Sequence, residues 1–167
     1  MQSRHRTHRY AARLVWTGNL GTGTADYAGY GRAYTVYVAG KPELEGSADP
    51  VFRGDATRYN PEDLFVAAVS ACHMLTYLSL CARRGVRVLS YEDHATGTLA
   101  LEADGGGQFT EIRLNPDVRI ASGGDADLAH RLHDEAHEGC FIARSCNAPI
   151  RHHATIAVAT SADPDVA

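Results

Sequence analysis

Four thiols and a few titratable side chains are the candidates for chemistry in this 167-residue chain: Cys72, Cys81, Cys140 and Cys146 carry the sulfur. No two of them form a CxxC pair, which excludes a zinc ribbon and a thioredoxin-type motif. In a reducing compartment a cysteine is either buried and inert or chemically used, as a nucleophile or redox group. Cys72 falls within the apolar stretch LFVAAVSACHMLTYLSLCA, where an inert apolar thiol is the ordinary reading. Cys140, in HEGCFIARSCN, directly follows a helix stop, a position that can expose a thiol. Glu62 precedes the apolar stretch, and the helix dipole alone accounts for an acidic residue there.

Three histidines, His130, His133 and His137, recur at i, i+3 and i+7, and with Cys140 they could supply metal ligands. The HDEAH stretch fails as a zincin motif. HExxH needs Glu where Asp134 stands, and HxxEH needs Glu where Ala136 stands. A solvated polar helix face explains the same three residues without a metal. His152 and His153 should point to opposite sides of a strand, so at most one faces any site.

The elements that must position these groups are legible in outline. Residues 8–17 and 28–39 read as the strands of a hairpin, joined through GNLGTGT, which has Gly21 and Gly23 but Asp26 where a dinucleotide fingerprint needs glycine. Residues 40–59 read as a polar loop. Asn60 suits a helix N-cap and Pro61 the first helical position, with Glu62 and Asp63 against the dipole. The helix that follows ends with Arg83, Arg84 and Gly85 and is apolar nearly all round, so it should be buried. Residues 86–103 and 108–120 read as two strands joined across Asp104 to Gly107. Residues 125–138 read as an amphipathic helix with Leu128, Leu132 and Ala136 inward and Gly139 as its stop. Residues 150–160 read as a last strand. Strands, helix, strands, helix, strand makes an α+β fold, in one domain over residues 1–167.

Composition bounds the partners. Hydrophobic residues are 44%, charged residues 22%, and net charge is −4, so no large basic surface for nucleic acid or anionic membrane is expected. No run of about 18 purely apolar residues is found, so no membrane span is expected. The basic start MQSRHRTHRY has no apolar segment behind it, which makes the cytoplasm the expected compartment.

With Cys72 and Cys140 placed, the chain resembles the OsmC/Ohr family of osmotically inducible and organic hydroperoxide resistance proteins. FRGDATRYNPEDLFVAAVSACHMLTYLSLCA, residues 52–82, is similar to that family's central helix, in its Asn60-Pro61-Glu62 opening and in the cysteine ten residues after the glutamate. HEGCFIARS, residues 137–145, is similar to the segment bearing the second cysteine, and WTGNLGTGT, residues 16–24, to the first hairpin. The resemblance implies an OsmC-like fold, β-sheets wrapped around long central helices in an intertwined homodimer. It implies reduction of organic hydroperoxide or hydrogen peroxide, an external thiol or dithiol reductant, and no cofactor or metal. It also implies catalytic roles for Cys72 and Cys140, with an arginine and Glu62 assisting. Arg32 in GYGRAY matches best for the arginine, with Arg53 and Arg58 as rivals. Cys146 stands as an unexpected second candidate for the resolving thiol, and Cys81 as an extra thiol on the helix.

Thiolate chemistry makes its own demand. Free cysteine has a pKa of about 8.5 and is mostly protonated at neutral pH. Cys72 lies roughly three turns past the helix cap, where the dipole has faded, so it needs a cation from another element. An arginine suits this role, and Glu62 could hold its fork. A non-catalytic metal- or ligand-binding dimer on the same fold stays open as the alternative.

Overall fold

A computed structural model describes residues 7–160, and the basic start at residues 1–6 lies outside the described residues. The chain divides into two compact units, Met1–Leu64 and Phe65–Ala167. In the first unit, β1 (Arg13–Trp16), β2 (Tyr34–Tyr37) and β3 (Leu44–Gly46) form an antiparallel sheet in the order β1-β2-β3. The expected hairpin is therefore present, with shorter strands than the alternation suggested. The expected loop over 40–59 contains β3 and a short 3-10 helix, Pro50–Phe52. A three-residue strand is too short to show alternation.

Helix α1 (Pro61–Arg83) starts and stops as its residues dictate. Asn60 Oδ1 accepts from the Asp63 N–H at 2.7 Å, and the Asp63 carboxylate accepts from the Asn60 N–H at 3.4 Å. At the far end Gly85 takes a left-handed φ of 76°, and the Val86 N–H reaches back to the Cys81 carbonyl at 2.9 Å.

In the second unit, the two long strands expected over 86–103 and 108–120 are each broken once. They become β4 (Val88–Asp93) and β5 (Thr96–Leu101), then β6 (Gly107–Leu114) and β7 (Pro116–Ile120). β5 pairs with β6 and β4 with β7, so one long hairpin passes from one sheet into another. Asp93 holds the crossing point. Its carboxylate accepts from the Asn115 backbone N–H at 2.7 Å and from the Ser70 hydroxyl of α1 at 2.5 Å. Pro116 has no N–H to offer a continuous ladder, and the adjacent Asn115 donates instead to the His94 carbonyl at 2.8 Å. The last expected strand also divides, into β8 (Ile150–His152) and β9 (Thr155–Val158). β8 runs parallel to β6, and β9 parallel to β7, giving sheets β5-β6-β8 and β4-β7-β9. Helix α2 (Ala126–Gly139) is capped by the Asp125 side chain on the Leu128 N–H at 2.8 Å. The architecture is α+β.

α1 is half-covered within this chain. Val69, His73, Tyr77 and Cys81, spaced four apart, are its buried stripe. Val69 packs with Ile112 and Leu114 of β6, and Tyr77 and Cys81 pack with Val118, Ile120, Ala129, Leu132 and Ala136 of β7 and α2. The opposite face, including Ala68, Ala71 and Leu75, is exposed. One expectation changes here. The helix is not buried all round. It is also long and apolar enough, at a mean hydropathy of 1.8, to cross a bilayer by length and composition. Its interspersed Ser, Thr, Tyr and His hid this from a search for unbroken apolar runs.

Candidate active site

The site can be assembled from its thiols outwards. Cys72 sits midway along α1, half-buried, with its carbonyl accepting from the Thr76 hydroxyl at 2.8 Å. Cys140 caps the C-terminus of α2 and is fully buried. Its N–H turns back to the His137 carbonyl, and its sulfur accepts from the Ala143 N–H at 3.4 Å. The two thiols lie close enough for Cys72 to act on the ionisation of Cys140. Both are reduced, as are Cys81 and Cys146. Burial, and then the Cys72 thiol beside it, push the Cys140 thiol up to about 11. Cys140 is thus a protonated thiol near neutral pH, close to a more accessible partner.

The approach of the two helices depends on a small residue. A Cβ on Gly139 would stand 3.1 Å from the Thr76 side-chain methyl, so the end of α2 rests on α1 one turn past Cys72. The remaining two cysteines are placed differently. Cys146 is half-buried and its thiol donates to the Ala143 carbonyl at 3.3 Å. Cys81 is buried against the Tyr77 hydroxyl, and burial pushes its thiol up.

Arg32 and Glu62 occupy the first unit. The Arg32 guanidinium donates to the carbonyls of Tyr30 and Tyr27, the latter at 2.7 Å, and lies over both rings with centroids 4.0 and 4.5 Å away. Trp16 holds the same loop by donating its indole N–H to the Gly31 carbonyl at 2.7 Å. Arg58, one of the two rivals, forms ion pairs with Glu45 and Asp55, both at 3.5 Å. Glu62 is half-buried in the first turn of α1, and its Oε2 is buried without a hydrogen-bond partner. Burial, followed by the Glu62 charge, pushes the Tyr34 phenol up. Among the described residues no ion pair joins Arg32 to Glu62.

The histidines of α2 do not form the solvated face expected of them. His130 is exposed, but His133 is fully buried, and His137 is only partly exposed. His133 meets a residue that the sequence reading passed over, His73, with Nδ1 of His133 and Nε2 of His73 3.0 Å apart. Tyr77 stacks on the His133 ring at 3.8 Å between centroids. His152 lies beside the pair, 5.5 Å from His73 and 6.0 Å from His133, and reaches Asp134 at 3.3 Å, whereas His153 is exposed. One of the two therefore faces the cluster, as expected, but His153 lies past the end of β8 and not on the opposite side of the strand. Burial holds His73 down to about 4 and His133 down to about 3, so both rings are neutral near pH 7. Among the described residues no three His, Cys, Asp or Glu side chains are arranged to hold a metal ion. The signal that could have exposed His73 is the four-residue spacing of Val69, His73, Tyr77 and Cys81, which puts it on the buried stripe.

A family model described as OsmC-like protein matches residues 54–154, which include both thiols and both helices. No curated protein matches the chain. Among solved structures, an OsmC-like protein of unknown function from Vibrio cholerae superposes with a TM-score of 0.80 at 30% identity, covering 89% of this chain and 100% of that one. An organic hydroperoxide resistance protein from Elizabethkingia anophelis gives a TM-score of 0.66 at 18% identity, covering 93% of this chain and 99% of that one. One from Bacillus subtilis gives 0.58 at 20% identity, covering 87% and 98% respectively, a likeness of fold. The matching segment, the two-helix, three-sheet architecture and the Vibrio cholerae structure agree: this chain belongs to the OsmC-like family.

Proposed function

We propose that this protein is a thiol-dependent peroxidase that reduces organic hydroperoxides, and hydrogen peroxide as a secondary substrate, through Cys72 and Cys140. The observation that carries the reading is the nearness of a partly accessible thiol to a fully buried one. Burial divides the labour. Only Cys72 is open to a substrate, and Cys140 is open to Cys72.

In the first step the Cys72 thiolate attacks one peroxide oxygen. The O–O bond breaks, the alkoxide takes a proton and leaves as alcohol, and Cys72 becomes a sulfenic acid. Cys140 then attacks the Cys72 sulfur. The S–O bond breaks, the hydroxyl leaves with the Cys140 proton as water, and a 72–140 disulfide remains. An external dithiol returns two electrons and two protons. Arg32 is the cation proposed to stabilise the thiolate and Glu62 its carboxylate partner. Cys146, whose thiol is held on Ala143, is the less suited resolving group.

A homodimer fits the exposed face of α1. Glu62 and Cys72 lie roughly 15 Å apart along one unbroken helix and on different faces, so a short arginine bridge cannot join them within it. An antiparallel second copy, crossing at Ala67, Ala68 and Ala71, would bring one chain's Glu62 towards the other's Cys72. Leu75, 64% exposed one turn after Cys72, gives that side of the thiol an alkyl preference. Val69, fully buried, belongs to the core instead.

Stopped-flow consumption of tert-butyl hydroperoxide and hydrogen peroxide with a dithiol tests the reading. Higher kcat/KM for the organic peroxide and a 72–140 disulfide on peptide mapping are expected. Undiminished turnover by Cys72→Ser would defeat it, and a 72–146 disulfide would reassign the resolving thiol.

A further inference from the structure

Apolar packing sets how close two helices lie, but it constrains their sliding weakly where the contacting residues are small. α2 turns Ala129, Ala136 and Gly139 towards the interior along with Leu132. A slip of one residue shifts a helix end by about 1.5 Å. A disulfide needs its two Cβ atoms about 3.5–4.5 Å apart, so such a slip is enough to spoil closure. The joining of Cys72 to Cys140 therefore depends on the contacts that fix the register of α2 against α1.

One such contact lies at the buried seam. His73 immediately follows Cys72 on α1. His133 precedes Cys140 by seven residues (140 − 133), two turns of α2, which returns it to nearly the same face. Their nitrogens meet at 3.0 Å, the rings are within 10° of parallel, and Tyr77 stacks on His133. Both rings are at most 1% exposed. We propose that the His73–His133 hydrogen bond is a positioning contact that sets the register between α1 and α2 and thereby seats Cys140 on Cys72 for disulfide closure.

The chemistry of the pair favours position over stability. His73 Nδ1 and His133 Nε2 are buried and have no hydrogen-bond partner, as is His137 Nδ1 nearby. Each unpaired buried nitrogen weakens folding, and replacing two such partners by apolar groups of similar shape can be neutral or stabilising. What an apolar pair cannot supply is direction. The inference deepens the peroxidase reading and rests on Cys72 and Cys140 being its two thiols.

The test separates the two chemical steps in the full-length protein. In a His73→Leu/His133→Leu double variant, trapping of the Cys72 sulfenic acid should proceed at the wild-type rate. Closure of the 72–140 disulfide should slow about tenfold to a hundredfold, as expected for a misplacement of about 1 Å. The His73→Gln/His133→Asn pair places an amide nitrogen near the old Nε2 and an amide oxygen near the old Nδ1, and it should restore most of the closure rate. Wild-type closure in the folded leucine variant overturns the proposal. So does failure of the Gln/Asn pair to outperform it, which also covers a leucine variant that does not fold. Diamide, a thiol oxidant needing no peroxide chemistry, closes the same disulfide in parallel. If wild type forms no sulfenic acid with any peroxide, the peroxidase reading fails, and diamide closure rates still decide the role of the pair.

Discussion

The two halves of α1 face different interiors. Towards its N-terminal end, Val69 packs with Ile112 and Leu114, with Phe65, Phe109 and Ile150 around them. Towards its C-terminal end, Tyr77 and Cys81 join α2 and β7, and the histidine pair lies on the same seam. Of the buried polar side chains among the described residues, only His73 and His133 lie beyond Leu64, and both are at this seam. The first interior is an ordinary apolar core that fixes α1 to a sheet. The second accepts unpaired buried nitrogens beside the helix end that carries Cys140. Both interiors are apolar cores, and the second, on the proposal above, carries a positioning role that the first lacks.

The largest effect should come at the thiols. Cys72→Ser is expected to abolish peroxide consumption, whereas Cys140→Ser should complete one turnover and leave a sulfenic acid that a dimedone-type probe captures. Equal residual activity in both variants would remove the distinction between attacking and resolving thiol. Next in size is truncation of the apolar core. Leu114→Ala, at a fully buried position, should lower stability by about 2–5 kcal/mol in denaturant melts. The rate of disulfide closure in the fraction that remains folded should not change. A closure defect matching that of the histidine variants would erase the contrast between the two interiors.

Acid should act on the polar seam. The groups facing the pair are Tyr77 from α1, Tyr91 from β4, His130, Asp134 and His137 from α2, and His152 from β8. Folded-state values of about 4 for His73 and about 3 for His133 lie below the ordinary 6.5. The unfolded chain therefore binds protons first as pH falls. Their contribution is complete above pH 6.5 and declines through pH 4 towards pH 3. His152, also lowered by burial, adds to the trend, with Asp134 opposing it. Melting temperature measured from pH 7 to pH 4 should drop more steeply for wild type than for His73→Leu/His133→Leu. Parallel slopes would show that the pair is not the acid-sensitive element.

The smallest change is expected from Gly139→Ala. Its Cβ would press on Thr76 at 3.1 Å, costing about 1 kcal/mol and slowing closure a few-fold by the same displacement of the helix end. An unchanged rate would mean that Thr76 yields by rotating, and that the histidine contact alone holds the register.

Much of this arrangement could be read along the chain because it is local. Asn60, Pro61 and the first-turn acids start α1, Gly85 stops it, and Asp125 starts α2, since caps need only neighbouring residues. The motifs around Cys72 and Cys140 were legible as a family resemblance for the same reason. The breaks that turn two expected strands into four were not, because Asp93 anchors them through Asn115 and Ser70, residues far apart in sequence. His133 was misread as solvated because an amphipathic pattern counts polar residues as outward, and it cannot see a polar partner waiting inside. His73 and His133 are 60 residues apart, and Cys72 and Cys140 meet across the same seam. Sequence determined which thiols and imidazoles were available. Which of them touch was decided by the packing of α2 on α1, because contact between distant residues depends on backbone positions that no local preference specifies.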